Sequence, residues 1–209
     1  MPIASKSRLE PALFWRWIAA NLDDLRLHSD DPESEIFERL IEQLHRYDSN
    51  LGVEISRSES GEIHVTIAAY GDRDNFPAVK ALVDACPSTE GLRARAFRQS
   101  EGAEFCVQVG HKEFSPSDTW FEPMKGVQDP TSLGVMVFFP DADDVPIEER
   151  HHIARVMLQA ILGEYESAMK LDHIEVANCQ GKDLQQYIKL SEIAGYISWH
   201  EKRYAQTRQ

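Results

Sequence analysis

Cysteine is scarce in this chain, with three in 209 residues, at positions 86, 106 and 179. They are odd in number and far apart, and no C-x-x-C pair occurs. That excludes a zinc ribbon, a thioredoxin-type dithiol and a disulfide scaffold. Long apolar runs are missing too. No stretch approaches the roughly 18 residues that a membrane helix needs, so a membrane association is not expected. The opening Met-Pro-Ile-Ala-Ser-Lys leads into an amphipathic segment rather than the uninterrupted apolar core of a signal peptide, which makes a reduced cytoplasm the expected compartment. The glycine loops that cradle phosphates, G-x-x-x-x-G-K-[ST] and G-x-G-x-x-G, are both absent, and so are H-E-x-x-H and G-x-S-x-G. No cofactor and no metal site are expected. Positive charge is in deficit: 22 Lys and Arg against 35 Asp and Glu leave a net charge of −13. Such an excess repels phosphate backbones and anionic lipid, so no nucleic-acid partner is expected, whereas a basic protein partner fits.

What is present suits a soluble α+β protein. Hydrophobic residues make up 42% of the chain, and a chain of this length buries roughly 70% of its extended surface without needing a staple. Leu9, Leu13 and Trp17 recur every four residues, with Phe14, Ile18, Leu22 and Leu25 in the adjoining rows, which predicts a first helix carrying Trp17 on its buried stripe and Trp15 off it. Ser7 with Glu10 resembles a capping box, while Pro11 suits a first turn. A second helix is predicted from an Asp31 cap and Pro32, with Ile36, Phe37, Leu40, Ile41, Leu44 and Tyr47 on its stripe. The short connection makes the two an antiparallel pair.

At Leu51 the apolar period drops to two. Leu51, Val53 and Ile55, then Ile63, Val65 and Ile67 beyond Ser58-Glu59-Ser60-Gly61, predict a hairpin. A helix is expected over 75–86, and runs at 92–99 and 103–110 around Ser100-Glu101-Gly102 read as another hairpin. Strands follow at 118–123 and 132–139; the second is apolar on both faces and is the candidate central strand. One long helix is expected over 146–169, then a strand from His173 to Ala177. Leu190, Ile193, Ile197, His200 and Tyr204 suit a final helix, against which Gly195 counts. No internal repeat and no linker stand out. The expectation is one α+β domain over 1–209, a mostly antiparallel sheet packed against helices, with the helical pair of 1–50 as a possible satellite of the 51–209 sheet.

Few residues suggest chemistry. Glu148-x-x-His151 matches half of a di-iron carboxylate site, but no second E-x-x-H exists. The other histidines sit singly on different elements. Cys86 is placed at a helix end, Cys106 in a strand core and Cys179 in a loop. In Leu92-Arg93-Ala94-Arg95-Ala96-Phe97-Arg98, strand alternation puts Arg93, Arg95 and Phe97 on one face, where guanidiniums can grip a carboxylate or phosphate bidentately. Pairing with surplus carboxylates is the plainer reading of the same arginines. Glu164, near the end of the predicted long helix, would oppose the helix dipole, a cost that an ion pair from Arg95 would answer. Arg93, Arg95, Arg98 and Glu164 are therefore the candidate binding residues.

Phe14-Trp15-x-Trp17, Ile63-x-Val65-x-Ile67-x-Ala69, Asn75-Phe76-Pro77-Ala78-Val79, Arg95-Ala96-Phe97-Arg98 and Leu162-Gly163-Glu164-Tyr165, in that order, resemble a family of uncharacterised bacterial proteins with an N-terminal FWxW helix. The resemblance implies a bacterial soluble protein and supplies no catalytic residues. Two functions are expected in order: a non-enzymatic protein-interaction or regulatory module, then an enzyme or binder acting on a small anionic ligand through the strand-borne arginines.

Overall fold

A computed structural model describes residues 9–125, 132–142, 144–179 and 181–204. The fold is α+β: among the described residues there are seven α-helices and three sheets, and four of the six strand pairings are antiparallel. The chain divides into two compact units, 1–98 and 99–209.

The first unit opens with α1 (Pro11–Ala20) and a short α2 (Leu22–Leu27), then α3 (Glu35–Tyr47). Pro11 stands in the first turn of α1, after an extended Glu10; Ser7 lies outside the described residues. The buried row is Phe14, Ile18, Leu22 and Leu25, whereas Leu13 is 40% exposed. The two tryptophans exchange their expected roles. Trp15 is fully buried and its Nε1 donates to the Leu82 carbonyl at 2.6 Å, while Trp17 is only half-buried beside Arg39. A buried indole needs an acceptor for its N–H, and the helix that packs on this unit's sheet supplies one. Helix α3 starts three residues later than expected, with Ser34 rather than Asp31 at its N-cap. The Asp31 carboxylate accepts from the Glu33 amide, and the Asp31 carbonyl from the Ser34 amide and hydroxyl, so Asp-Pro builds a turn before the helix. The Leu9 amide bonds the Arg46 carbonyl, placing the approach to α1 at the end of α3.

The predicted hairpin forms from β1 (Gly52–Arg57) and β2 (Ile63–Ala68), in the register Val53 opposite Ile67 and Ile55 opposite Val65. Helix α4 (Phe76–Asp84) follows, and β3 (Leu92–Ala96) then pairs parallel to β2. This corrects the hairpin expected between 92–99 and 103–110. Helix α4 carries the chain back along the sheet, so β3 re-enters in the direction of β2. Strand β3 stops where Phe97 adopts φ +66° and turns inward onto Phe76, ring centroids 4.6 Å apart.

In the second unit the hairpin lies further on, between β4 (Val107–Val109) and β5 (Lys112–Phe114), around Gly110 at φ +60°. The main sheet has the order β8-β7-β6-β9, from β6 (Trp120–Lys125), β7 (Leu133–Phe138), β8 (His173–Ala177) and β9 (Ile188–Lys189). As its two apolar faces suggest, β7 is central, with Leu133, Val135, Val137 and Phe138 at 2% exposure or less. The single long helix expected over 146–169 is instead two, α5 (Ile147–Leu162) and α6 (Glu164–Lys170), separated by Gly163 at φ +81° and ψ +152°. Ile147, the first residue of α5, is 38% exposed. Helix α7 (Ile193–Tyr204) accommodates Gly195, and Ile193 and Ile197 join Phe121, Val135, Met157 and Leu158 in one core.

Both units repeat one plan that the sequence reading did not find. An antiparallel hairpin is followed by a helical crossover to a strand parallel to the hairpin's second arm: β1-β2-α4-β3, then β6-β7-α5/α6-β8. In both, a residue with positive φ follows the central strand (Tyr70 at +54°, Asp141 at +55°), and a proline enters the crossover helix (Pro77, Pro146).

The packing gives a direct test of the exchanged tryptophans. Trp15→Ala should lower the unfolding free energy by about 3–5 kcal/mol, and Trp17→Ala by about 1 kcal/mol or less, in urea titrations followed by circular dichroism.

Candidate functional site

The arginines of β3 are set by strand alternation. Arg93 and Arg95 are exposed while Leu92 is buried, and Phe97 leaves their face because its positive φ turns it into the core. Arg93 stands opposite His64 in the β2 register, and its Nε donates to Glu62 Oε1 at 3.0 Å; Glu62 Oε2 lies 3.3 Å from His64 Nε2. Arg98 Nε donates to Glu54 Oε1 at 2.6 Å and its guanidinium lies 5.1 Å over the Tyr70 ring. Arg95, opposite Thr66, makes no ion pair among the described residues. Two of the three arginines thus already have a carboxylate each.

Glu164 belongs to the second unit and is fully buried. Because Gly163 ends α5, Glu164 opens α6 instead of closing a longer helix. A carboxylate in a first turn faces the favourable end of the dipole, so the cost that called for Arg95 does not arise.

Two cavities of the second unit hold the other polar clusters. One, of about 320 Å³, runs beside β8 and is lined by His151 and Arg155 of α5 and by residues 171–175. Glu175 Oε1 lies 2.6 Å from His173 Nε2, and its Oε2 lies 3.8 Å from His151 Nε2. Sequence reasoning placed His151 in the Glu148-x-x-His151 half-motif and left His173 as an isolated histidine. The local signals were His173 and Glu175 two apart on a strand, and His151 and Arg155 four apart on a helix. Among the described residues no group of three or more His, Cys, Asp or Glu is placed to hold a metal ion.

The second cavity, about 430 Å³, lies between β5 and the turn after β7, with Phe114, Trp120 and Pro140 in its wall. The Lys189 ammonium sits 3.7 Å from the Trp120 ring centroid. The Lys112 ammonium donates to the Asp141 carbonyl and the Asp144 carboxylate, which ties β5 to the turn leading into α5. That contact holds the Asp144 carboxyl below the usual carboxylate range.

Neither Cys86 nor Cys106 shows an activated setting. Cys106 was expected in a strand core but is exposed, one residue before β4. Desolvation, then the Glu113 carboxylate to which it is hydrogen-bonded, and finally Asp118, push its thiol up. Burial pushes Cys86 up as well. Thiolate is the nucleophile, so both shifts work against covalent chemistry.

Two outcomes are expected. Cys106 should react with a maleimide more slowly than an unstructured cysteine at pH 7.5, and Glu113→Gln should speed it, as followed by mass spectrometry. The Asp144 carboxyl is depressed in the folded state, so its stabilisation is present above about pH 4 and is lost as pH falls through the depressed value. The protection of amides in the turn between β7 and α5, taken relative to each amide's intrinsic exchange rate, should therefore fall in acid, and Lys112→Met should remove that dependence. Compared with known proteins, the chain matches no family model, no curated protein and no solved structure.

Proposed function

We propose that this protein is a non-enzymatic interaction module that docks another protein. The observation that carries this reading is the pairing on β3. A site for a small anion needs guanidiniums converging with their charge unspent. Arg93 on β3 and Arg98 just beyond its end instead meet Glu62 and Glu54, and each pair has the geometry of surface complementarity rather than of a ligand clamp. The net charge of −13 favours a basic protein surface as the partner and disfavours nucleic acid. The raised thiols of Cys86 and Cys106 point away from nucleophilic catalysis. A cytoplasmic site of action fits a chain in which, among the described residues, no helix is long and apolar enough to cross a membrane. A bacterial source rests on the order of the short motifs alone.

A second reading keeps a small anionic ligand, and one residue favours it: Arg95 is exposed and makes no ion pair among the described residues. A thermal-shift series against inorganic phosphate, ATP, citrate and acetate separates the two. A ligand at 100 times its Kd adds about 2.7 kcal/mol, which is roughly 5–10 °C of Tm for a chain of this size. The interaction reading expects no shift above about 1 °C with any of the four. A larger shift that disappears in Arg95→Ala would replace it with the second reading.

A further inference from the structure

The two edges of the main sheet in the second unit are treated differently. At one end β9 contributes only Ile188 and Lys189, and a two-residue strand with a lysine offers little to an incoming chain. At the other end β8 runs for five residues, His173-Ile174-Glu175-Val176-Ala177, with no proline and no lysine. It pairs only with β7, so its outer row of N–H and C=O groups is open among the described residues. The 320 Å³ cavity lies along that same strand, between it and His151 and Arg155 of α5.

The side chains of β8 say what fits there. His173 and Glu175 flank Ile174 and project to one side of the strand. If a second β8 runs antiparallel with Ile174 opposite Ile174, each His173 faces the Glu175 of the other strand. Directly opposed side chains on antiparallel strands lie about 4.5–5.5 Å apart at Cβ, where opposite charges attract and like charges repel. Glu175 already bonds His173 of its own strand at 2.6 Å, so the paired edges would form an alternating ring of two carboxylates and two imidazoles. The register is self-complementary, as a two-fold interface requires. Edge strand β3 of the first unit lacks this property, because both of its outward charges, Arg93 and Arg95, are positive.

From this arrangement we infer that the partner of the β8 edge is a second copy of this chain, joined by antiparallel β8–β8 pairing centred on Ile174. The dimer's sheet would then continue through eight strands, twice the four of β8-β7-β6-β9. The inference adds a self-association surface and does not rest on the interaction reading above. A monomer would overturn the dimer and leave that reading standing, while a ligand shift in the melting series would overturn that reading and leave the dimer.

Sedimentation equilibrium of the full chain between about 1 and 500 μM tests it. The expected result is a monomer–dimer equilibrium with a species of twice 23.8 kDa. His173→Glu and Glu175→His should each weaken dimerisation roughly tenfold or more, since the first sets carboxylate against carboxylate and the second leaves each facing imidazole without a carboxylate to accept from it, in two symmetry-related pairs. The exchange His173→Glu with Glu175→His should restore it. Circular dichroism melts confirm that each variant folds. In a background with Cys86, Cys106 and Cys179 replaced by serine, Ile174→Cys should give a disulfide-linked dimer on mild oxidation, because a residue on the two-fold axis faces itself within disulfide range. A wild-type chain that stays monomeric throughout, a dimer indifferent to both single reversals, or failure of the exchange to restore pairing would each overturn the inference.

Discussion

A strand paired along both edges and covered by a helix leaves no backbone group and no apolar face to water, and that condition organises each unit of this protein. Strand β2 meets it between β1 and β3 under α4, and β7 meets it between β6 and β8, its Val135 and Val137 sharing one core with Met157, Leu158 and Ile161 of α5. The hairpin supplies one neighbour from the adjoining stretch of chain. In both units the other neighbour arrives parallel, and a parallel neighbour needs a crossover long enough to span the sheet, here a helical one. The helices are therefore both cover and connection. Trp15 shows the coupling from outside the crossover: its indole closes on a carbonyl of α4, so the N-terminal helices are fixed to the element that positions β3.

The parts of this plan that depend on local periodicity were readable in advance. Alternation from Leu51 to Ile67 marks the β1–β2 hairpin, and the apolar run from Leu133 to Phe139 marks the centre of the larger sheet. Strand direction was not readable in the same way. Ser100-Glu101-Gly102 has the composition of a hairpin turn, yet the Ser100 hydroxyl and the Glu101 amide are committed to the Ile161 and Ala160 carbonyls, and no strand leaves it. What decides the matter is the tertiary role of α4, which no short window contains. The repeated plan did leave a trace. Asp72-x-x-x-Phe76-Pro77 and Asp141-x-x-x-Val145-Pro146 share an acidic residue, an apolar residue and a helix-opening proline at equal spacing.

The candidate site was legible only as composition. Arg93 and Arg95 on one exposed strand face follow from alternation, but the counter-charges of Arg93 and Arg98 come from the approach to β2 and from β1, some 30 to 45 residues away in the chain. Sequence separation hides such pairs even when each partner is conspicuous. The same holds for Glu175, whose two imidazole neighbours come from its own strand and from a helix. In both places an acidic protein answers its few cations and histidines individually, with exposed pairs that each contribute little to stability and a good deal to which surfaces attract one another.

Gly163 bears on how this sequence can vary. At φ +81° it occupies a backbone state that side chains with a Cβ resist, and it is buried directly ahead of buried Glu164. Every nucleotide change that replaces this glycine loads strain onto the junction at which α5 stops and a carboxylate enters the interior. Its neighbours Leu162 and Tyr165 are half-buried and carry no such demand. Drift along this stretch is channelled to either side of a single frozen position.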